Sequence, residues 1–272
     1  MNQAEIERTL TTRFARALRD PFTRALRDYR MIAPGDHIAV CISGGKDSML
    51  LAKLLQDYQR REGPPFRLTY LAMDPGYSPG NRAHIEQNAR TLGLPVEFFH
   101  TNVLRVAANH AAEHPCFLCA KMRRGHLYAE ARKRGANKIA LGHHYDDAIE
   151  TVLMGLLYGG QVQAMLPRLQ SKNYPGMELI RPLYRVREAA VREWAEVCGL
   201  TFLPCGCPAS TRKEDTKRAE IKALIASLAA DNPQIEANIL NAVKNVDVRK
   251  VLGWRDGAGQ KFSFLDRFPP EA

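Results

Sequence analysis

The sequence predicts an α/β protein with a parallel sheet and helices on both of its faces, and three observations carry that reading. Short apolar runs alternate with segments of helical periodicity along most of the chain. The helical segments run to about a dozen residues or more, enough to cross from one parallel strand to the next. No internal repeat or low-complexity linker breaks the alternation, and a 45% hydrophobic content fills an ordinary globular core.

Residues 2 to 19 read as a helix broken at "RDPF". There Asp20 is placed to cap a second helix, with Pro21 at its first position. Arg13, Arg16 and Arg19, then Arg24, Arg27 and Arg30, recur every third residue along one flank of each helix. Such a flank fits a solvated face or a phosphate-binding one equally. From residue 36 the alternation begins: "HIAVCIS" reads as a buried strand and "DSMLLAKLLQDYQR" as its helix. "FRLTYLAM" is a second strand, followed by a helix through "RAHIEQNARTLG" that Gly93 ends. "PVEFFHT" is a third strand, a short helix leads to "HPCFLCAKMRRG", and "LYAEARKRGA" is helical. "KIALG" is a strand, "DDAIETVLMGLLYGG" a helix, "MELIRPLY" an extended segment and "EAAVREWAEVCGL" a helix. Beyond residue 211 the chain reads as helical and highly charged. Three parts are expected: an N-terminal helical extension over 1–35, the α/β domain over 36–210, and a C-terminal helical extension over 211–272.

A formal charge of +10 points to a polyanion such as nucleic acid, with a solvated basic surface as the plainer alternative. No apolar run approaches the roughly 18 residues of a membrane span. The first ten residues, "MNQAEIERTL", lack a signal-peptide profile. A cytoplasmic protein without a membrane partner is expected. In that compartment six cysteines are not expected to form disulfides, so their spacing is read for metal or catalysis.

"SGGKDS", Ser43 to Ser48, falls between the first strand and its helix. Ligands of such sheets bind at the carboxyl ends of the strands. Gly44 and Gly45 permit tight backbone geometry, and their amides, with those opening the helix, can point at an anion. Lys46 adds a compact charge, and Ser43 and Ser48 add hydroxyls. The pattern is neither the P-loop nor the dinucleotide G-x-G-x-x-G; an ordinary Gly-Gly turn is the bland alternative. "LGHHYDDAIET" places Gly142, His143, His144, Asp146 and Asp147 at the end of a later strand. Two adjacent carboxylates beside a polyphosphate suit magnesium or an attacking group, while aspartate at a helix start also suits an N-cap.

"CFLC" holds Cys116 and Cys119, and "PCGCP" holds Cys205 and Cys207. Four such thiolates could bind zinc, and three could bind an iron–sulfur cluster with one iron left open; spacing does not decide. Cys41 and Cys198 fall in apolar segments and read as core. "KMRRGHLYAEARKR" carries six Lys/Arg against one Glu, suited to nucleic-acid phosphates, with Arg123 and Arg124 directly after the C-x-x-C. "TRKEDTKRAEIK" is mixed in sign and reads as mostly a solvated helix. Arg181 and Arg185 fit either a substrate entrance or a structural role.

"SGGKDS" resembles the PP-loop of ATP pyrophosphatases. Together with "CFLCAKMRRG", "KIALGHHYDD", "YGG", "IRPLYRVRE" and "LPCGCP" in this order, it is similar to the tRNA 2-thiocytidine synthetase family, over about residues 30 to 250. The resemblance implies an adenine nucleotide alpha hydrolase-like domain. Its implied cofactors are ATP, magnesium and a [4Fe-4S] cluster. Ser43, Gly44, Gly45, Lys46, Asp47, Ser48, Met73, Gly142 and His143 would hold the nucleotide, and Lys46, Asp47, Asp146 and Asp147 would act in catalysis. Cys116 and Cys119 carry over as cluster ligands. The family commonly shows P-C-x-x-C where this chain is one residue shorter; matching from Pro204 selects Cys205 as third ligand, with Cys207 the alternative. The implied reaction adenylates C2–O of an anticodon-loop cytidine and replaces that oxygen by sulfur. Sulfur on the open iron would come from a cysteine desulfurase or sulfide, and a homodimer is compatible with the reading. The rivals are a thiolase of uridine or of a small molecule, and a zinc-stabilised RNA-binding protein with a vestigial nucleotide site.

Overall fold

The computed structural model of the chain describes residues 1–101, 115–202 and 213–267, without the side chains of 115–121, 213–216 and 267. Its sheet contains β1 (His37–Ile42), β2 (Arg67–Asp74), β3 (Val96–His100), β4 (Lys138–Ala140), β5 (Arg168–Gln170) and β6 (Glu178–Ile180). The order is 3-2-1-4-6-5. Every pairing is parallel except β5 with β6, so the expected class holds with an antiparallel edge strand added. β4 and β6 are as short but sit in apolar runs, whereas β5 has one leucine between two polar residues, which is why it escaped the sequence reading. Strand order reverses direction between β1 and β4, and the crevice there is where open α/β sheets bind ligands.

β1 is buried on both faces, as a central parallel strand must be. Ile38, Val40 and Ile42 join a core with α3 (Lys46–Arg61), α4 (Pro79–Leu92) and α7 (Glu188–Val197). Ala39 and Cys41 face Tyr128 and Ala131 of α5 (Pro115–Lys133) on the other side. A third cluster joins Ala148 and Ile149 of α6 (Tyr145–Gly159) to Ile221 and Ile225 of α8 (Lys213–Asp231) and Leu240 of α9 (Ile235–Ala242). Among the described residues no helix is long and apolar enough to cross a membrane.

The two ends of the chain depart from expectation. α1 spans Gln3–Thr11, opened by an Asn2–Glu5 capping box, and a π-helical turn over Ala15–Arg19 runs straight into α2 (Asp20–Asp28). Asp20 is itself helical and caps nothing. Phe14, Leu18 and Phe22 recur every fourth residue and are all buried, so burial of one stripe carries the chain through the predicted break. Arg13, Arg16, Arg24 and Arg27 lie exposed, away from that stripe, as does Arg30 just beyond α2. At the other end the described residues after α9 form no further α-helix. A 3-10 turn (Val248–Lys250) leads to a hairpin of β7 (Gly253–Arg255) and β8 (Lys261–Ser263), in which Trp254 stacks on Phe262 at 5.1 Å.

The N-terminal helices are not appended to this core but built into it. Ile6, Leu10, Phe14 and Leu18 belong to the same cluster as β1. Lys53 of α3, with no exposed surface, donates to Glu7 of α1 (2.5 Å), Gln56 (2.8 Å) and the Leu92 carbonyl (2.7 Å). Burial raises the Glu7 carboxyl, but hydrogen bonds from Gln3, Lys53 and Arg60 outweigh it and hold the pKa at about 2. Glu7→Ala strands a buried ammonium and is expected to cost about 3 kcal/mol in urea unfolding. Because the folded pKa lies below the ordinary carboxyl value of 4.5, the Glu7 contribution is present above that pH and lost as pH falls toward 2. The variant should therefore lose less stability than the wild type across that window.

Candidate active site

β1 ends at Ile42, and three residues later Gly45 stands as the N-cap of α3 with no side chain capping the helix. The first amides of α3 are thereby left open to an anion. Gly44 has φ +85°, and a Cβ there would lie 2.7 Å from the Ile85 side chain, so only glycine fits. Ser48 braces the loop: its hydroxyl donates to the Gly45 carbonyl (2.9 Å) and accepts from the Ser43 amide (3.1 Å) and the Ser43 hydroxyl (3.1 Å). Ser43 and Ser48 thus shape the cradle before any ligand arrives.

The loop after β4 meets this cradle. A Cβ on Gly142 would sit 3.0 Å from the Asp47 carbonyl carbon and 3.1 Å from the Ser48 amide nitrogen. His144, not an aspartate, is the N-cap of α6: its Nδ1 accepts from the Asp147 amide (3.3 Å), and the Asp147 carboxylate accepts from the His144 amide (2.9 Å). Asp147 also meets Arg218 (3.1 Å). Asp146 turns to α7, accepting from the Glu188 amide (2.7 Å) and pairing with Arg187 (3.2 Å). Arg187 in turn pairs with Glu236 of α9. Both oxygens of each aspartate are therefore engaged with donors.

A cavity of about 350 Å³ opens between the two loops, lined among others by Ser43, Asp47, Ser48, Met73, Gly142, His143 and Asp147. Three of its lining residues carry a buried polar atom without a hydrogen-bond partner among the described residues: Asp47 Oδ1, His143 Nδ1 and Arg123 Nε. Buried polar atoms are rarely left unpaired, because each orphan costs about 1–3 kcal/mol. Three around one cavity mark the place of a polar ligand. Burial first, then Arg181 and Arg218, lower the His143 pKa to about 4 against the opposing pull of Asp147, so its imidazole is neutral at physiological pH. Cys41 also lines the cavity, but burial pushes its thiol up to about 12.

Most residues singled out in the sequence thus converge, with differences of placement. Lys46 does not line this cavity; its ammonium pairs with Asp47 (3.1 Å) and Glu188 (3.1 Å) in an adjoining one. Burial opposes its charge, but Asp47 and Glu188 outweigh burial and raise its pKa. Arg123 lines the cavity, whereas Arg124 is exposed on α5. Arg181 is buried and donates to the Leu166 carbonyl, and Arg185 pairs with Asp28 (2.8 Å) over the Tyr29 ring, so each has a structural partner. Cys116 and Cys119 stand one turn apart at the start of α5, with side chains outside the described residues. Cys205 and Cys207 lie outside them altogether. Glu188, Arg218 and Lys222 were missed; "TRKEDTKRAEIK" read as a solvated helix, yet Arg218 and Lys222 turn toward the site. Their spacing of four on one helix was the available signal.

A backbone cradle at a sheet crossover, faced by a Gly-His-His loop, defines a PP-loop enzyme, and residues 10–226 match a family model described as a PP-loop domain. The tRNA-cytidine(32) 2-sulfurtransferase of Syntrophotalea carbinolica is 38% identical over 84% of this chain and 88% of its own length. That of Alkalilimnicola ehrlichii is 39% identical over 82% of this chain and 70% of its own. The fold is also that of the U34-tRNA thiolase NcsA from Methanococcus maripaludis with its [4Fe-4S] cluster (TM-score 0.67, 20% identity, 83% of this chain and 76% of that one). The chain belongs to the tRNA-cytidine(32) 2-sulfurtransferase family.

Gly142→Ala forces its new methyl against the Asp47–Ser48 backbone and should displace the cradle by a few tenths of an ångström. The expected outcome is a nucleotide Kd raised about tenfold, the cost of roughly one charge-assisted hydrogen bond, with an unchanged far-UV circular dichroism spectrum.

Proposed function

We propose that this chain is an ATP-dependent tRNA sulfurtransferase that makes 2-thiocytidine in an anticodon loop. The observation that carries the proposal is one cavity lined by the PP-loop aspartate, the neutral His143 and Arg123, each with a polar atom that has no hydrogen-bond partner among the described residues, in a chain of this family. The cytidine O2 attacks the α-phosphorus of ATP, the bond to the diphosphate breaks, and pyrophosphate leaves. A sulfur nucleophile then attacks C2, the C–O bond breaks, and AMP departs with the oxygen. Adenylation turns a poor leaving group into a good one, and the open amides of α3 with Lys46 stabilise the charge that develops on phosphate. Asp47, with an oxygen that accepts no hydrogen bond among the described residues, is the carboxylate fit to hold magnesium.

Cys116 and Cys119, with Cys205 or alternatively Cys207, would hold the [4Fe-4S] cluster, which supplies an iron able to bind sulfur. The donor is a cysteine desulfurase or free sulfide, and the substrate places the enzyme in the cytoplasm. Exposed Arg124 meets tRNA phosphates, while Arg123, on the cavity wall, reaches the target nucleotide itself.

Nucleoside mass spectrometry of tRNA from a deletion strain tests the reading: 2-thiocytidine should vanish, return with the wild-type gene, and stay absent with Lys46→Ala or Asp47→Ala. Both purified variants should keep iron and sulfide yet release no pyrophosphate; normal pyrophosphate release would remove these residues from the ATP step. For the cluster, Cys116→Ala, Cys119→Ala and Cys205→Ala should each abolish anaerobic reconstitution, and Cys207→Ala should not. A requirement for all four thiolates would mean a closed site and end the sulfur-transfer role.

A further inference from the structure

The nucleotide cavity has a neighbour of about the same size. This second cavity, of about 360 Å³, is lined by Lys46, Asp47, His144, Asp147, Glu150, Glu188, Arg218, Ala219 and Lys222. The two cavities share Asp47 and Asp147 and so meet at the amino ends of α3 and α6. Their walls differ in chemistry. Met73, Tyr77, Leu127 and Leu141 give the first an apolar side suited to a base and ribose. The second has three cationic side chains and no apolar one larger than Ala219.

We propose that Arg218 and Lys222 of α8, which line the second cavity, are two further cationic contacts of the nucleotide's diphosphate end, bound beside Lys46 as its magnesium salt. The assignment rests on the ATP-dependent reading above and adds to it a diphosphate subsite supplied in part by the C-terminal helices. The nucleotide then lies across Asp47 and Asp147, with the bond to be broken over the open amides of α3.

Each of the three cations already rests on a carboxylate that a phosphate oxygen can replace. Lys46 pairs with Asp47 and Glu188, Lys222 with Glu188, and Arg218 with Asp147 (3.1 Å) and Glu150 (3.5 Å). Glu188 keeps Arg192 (2.9 Å) when Lys46 and Lys222 turn to phosphate, so the exchange leaves no stranded charge there. Arg218 and Lys222 are 42% and 48% exposed, long side chains with room to move, and their i, i+4 spacing puts them on one face of α8. Four carboxylates line the cavity against three cations, so a bare diphosphate would meet net repulsion. Bound magnesium reverses that balance, which is why the ligand is the metal salt.

Calorimetric titration of the full chain with magnesium pyrophosphate, and separately with AMP, tests the assignment. Arg218→Ala and Lys222→Ala should each weaken magnesium pyrophosphate about tenfold, the loss of one charge-assisted contact, and leave AMP within about twofold. Arg218→Lys should fall between wild type and Arg218→Ala, since a lysine keeps the charge but not the fork. Pyrophosphate in excess chelator should bind the wild type at least about tenfold more weakly than the magnesium salt, by the same charge argument. Unchanged pyrophosphate affinity in both alanine variants would overturn the assignment alone, as would a parallel loss of AMP, which marks structural support. A wild type that binds neither AMP nor magnesium pyrophosphate would overturn the ATP-dependent reading as well.

Discussion

The loop after β1 and the loop after β4 meet because those strands pair in parallel and in register: Ile38 beside Lys138, Ala39 beside Ile139, Val40 beside Ala140. The ladder is three residues long, and its register is pinned at the amino end by side chains. The His37 amide donates to Asn137 Oδ1 (2.8 Å), and Lys138 is held by Asp36 (2.7 Å) and Glu178 (3.3 Å). A slip of one residue would exchange every side chain between the two faces of the sheet and bury the wrong set. It would also carry Gly142 out of contact with the Asp47–Ser48 backbone. The close approach that builds the cavity is thus decided at the opposite end of the strands.

Charge in the site is mixed rather than basic, although the chain carries +10. The surplus lies elsewhere, including the exposed flanks of the N-terminal helices. Around the cradle, carboxylates and cations interlock. Burial raises the Glu188 carboxyl, but Lys222, Arg192 and Lys46 overcome it and take it well below the usual range. Such pairs hold long side chains in place at modest net gain while they stay partly solvated. They can be exchanged for a stronger ligand at small cost. A cradle lined by bare cations would instead bind any passing anion.

Both loops of the site were legible in the sequence because each is local: a strand, a turn of fixed composition and a helix, read within about ten residues. The parallel sheet was legible for a related reason, since strand and helix periods differ. What was not legible is tertiary. Arg218 and Lys222 look like any charged pair on a solvated helix until Ile221 and Ile225, on the same α8, pack against Ala148 and Ile149 of α6. Glu188 shows only a pairing with Arg192 on its own helix, while its partners Lys46 and Lys222 come from two distant segments. Asp146 and Asp147 suited an N-cap by composition, but His144 took that position and the carboxylates were drawn to neighbouring donors. The unbroken passage from the π-helical turn into α2 was likewise decided by burial of Phe14, Leu18 and Phe22, not by the Asp-Pro signal.

The third cluster has a consequence for synthesis. A ribosome delivers the chain from its amino end, and domains condense in that order. By the time β6 has emerged from the ribosome, the six strands of the main sheet and both loops of the cradle are free to form, yet Arg218, Lys222 and Glu236 have not emerged. Asp147 and Glu150 then lack Arg218, Glu188 lacks Lys222, and Ala148 and Ile149 on α6 lack the helices that cover them. The nascent protein owns a sheet before it owns the helices that complete the second cavity. Translation itself thereby imposes a delay: the carboxylates of the site and the apolar side of α6 wait for the C-terminal helices.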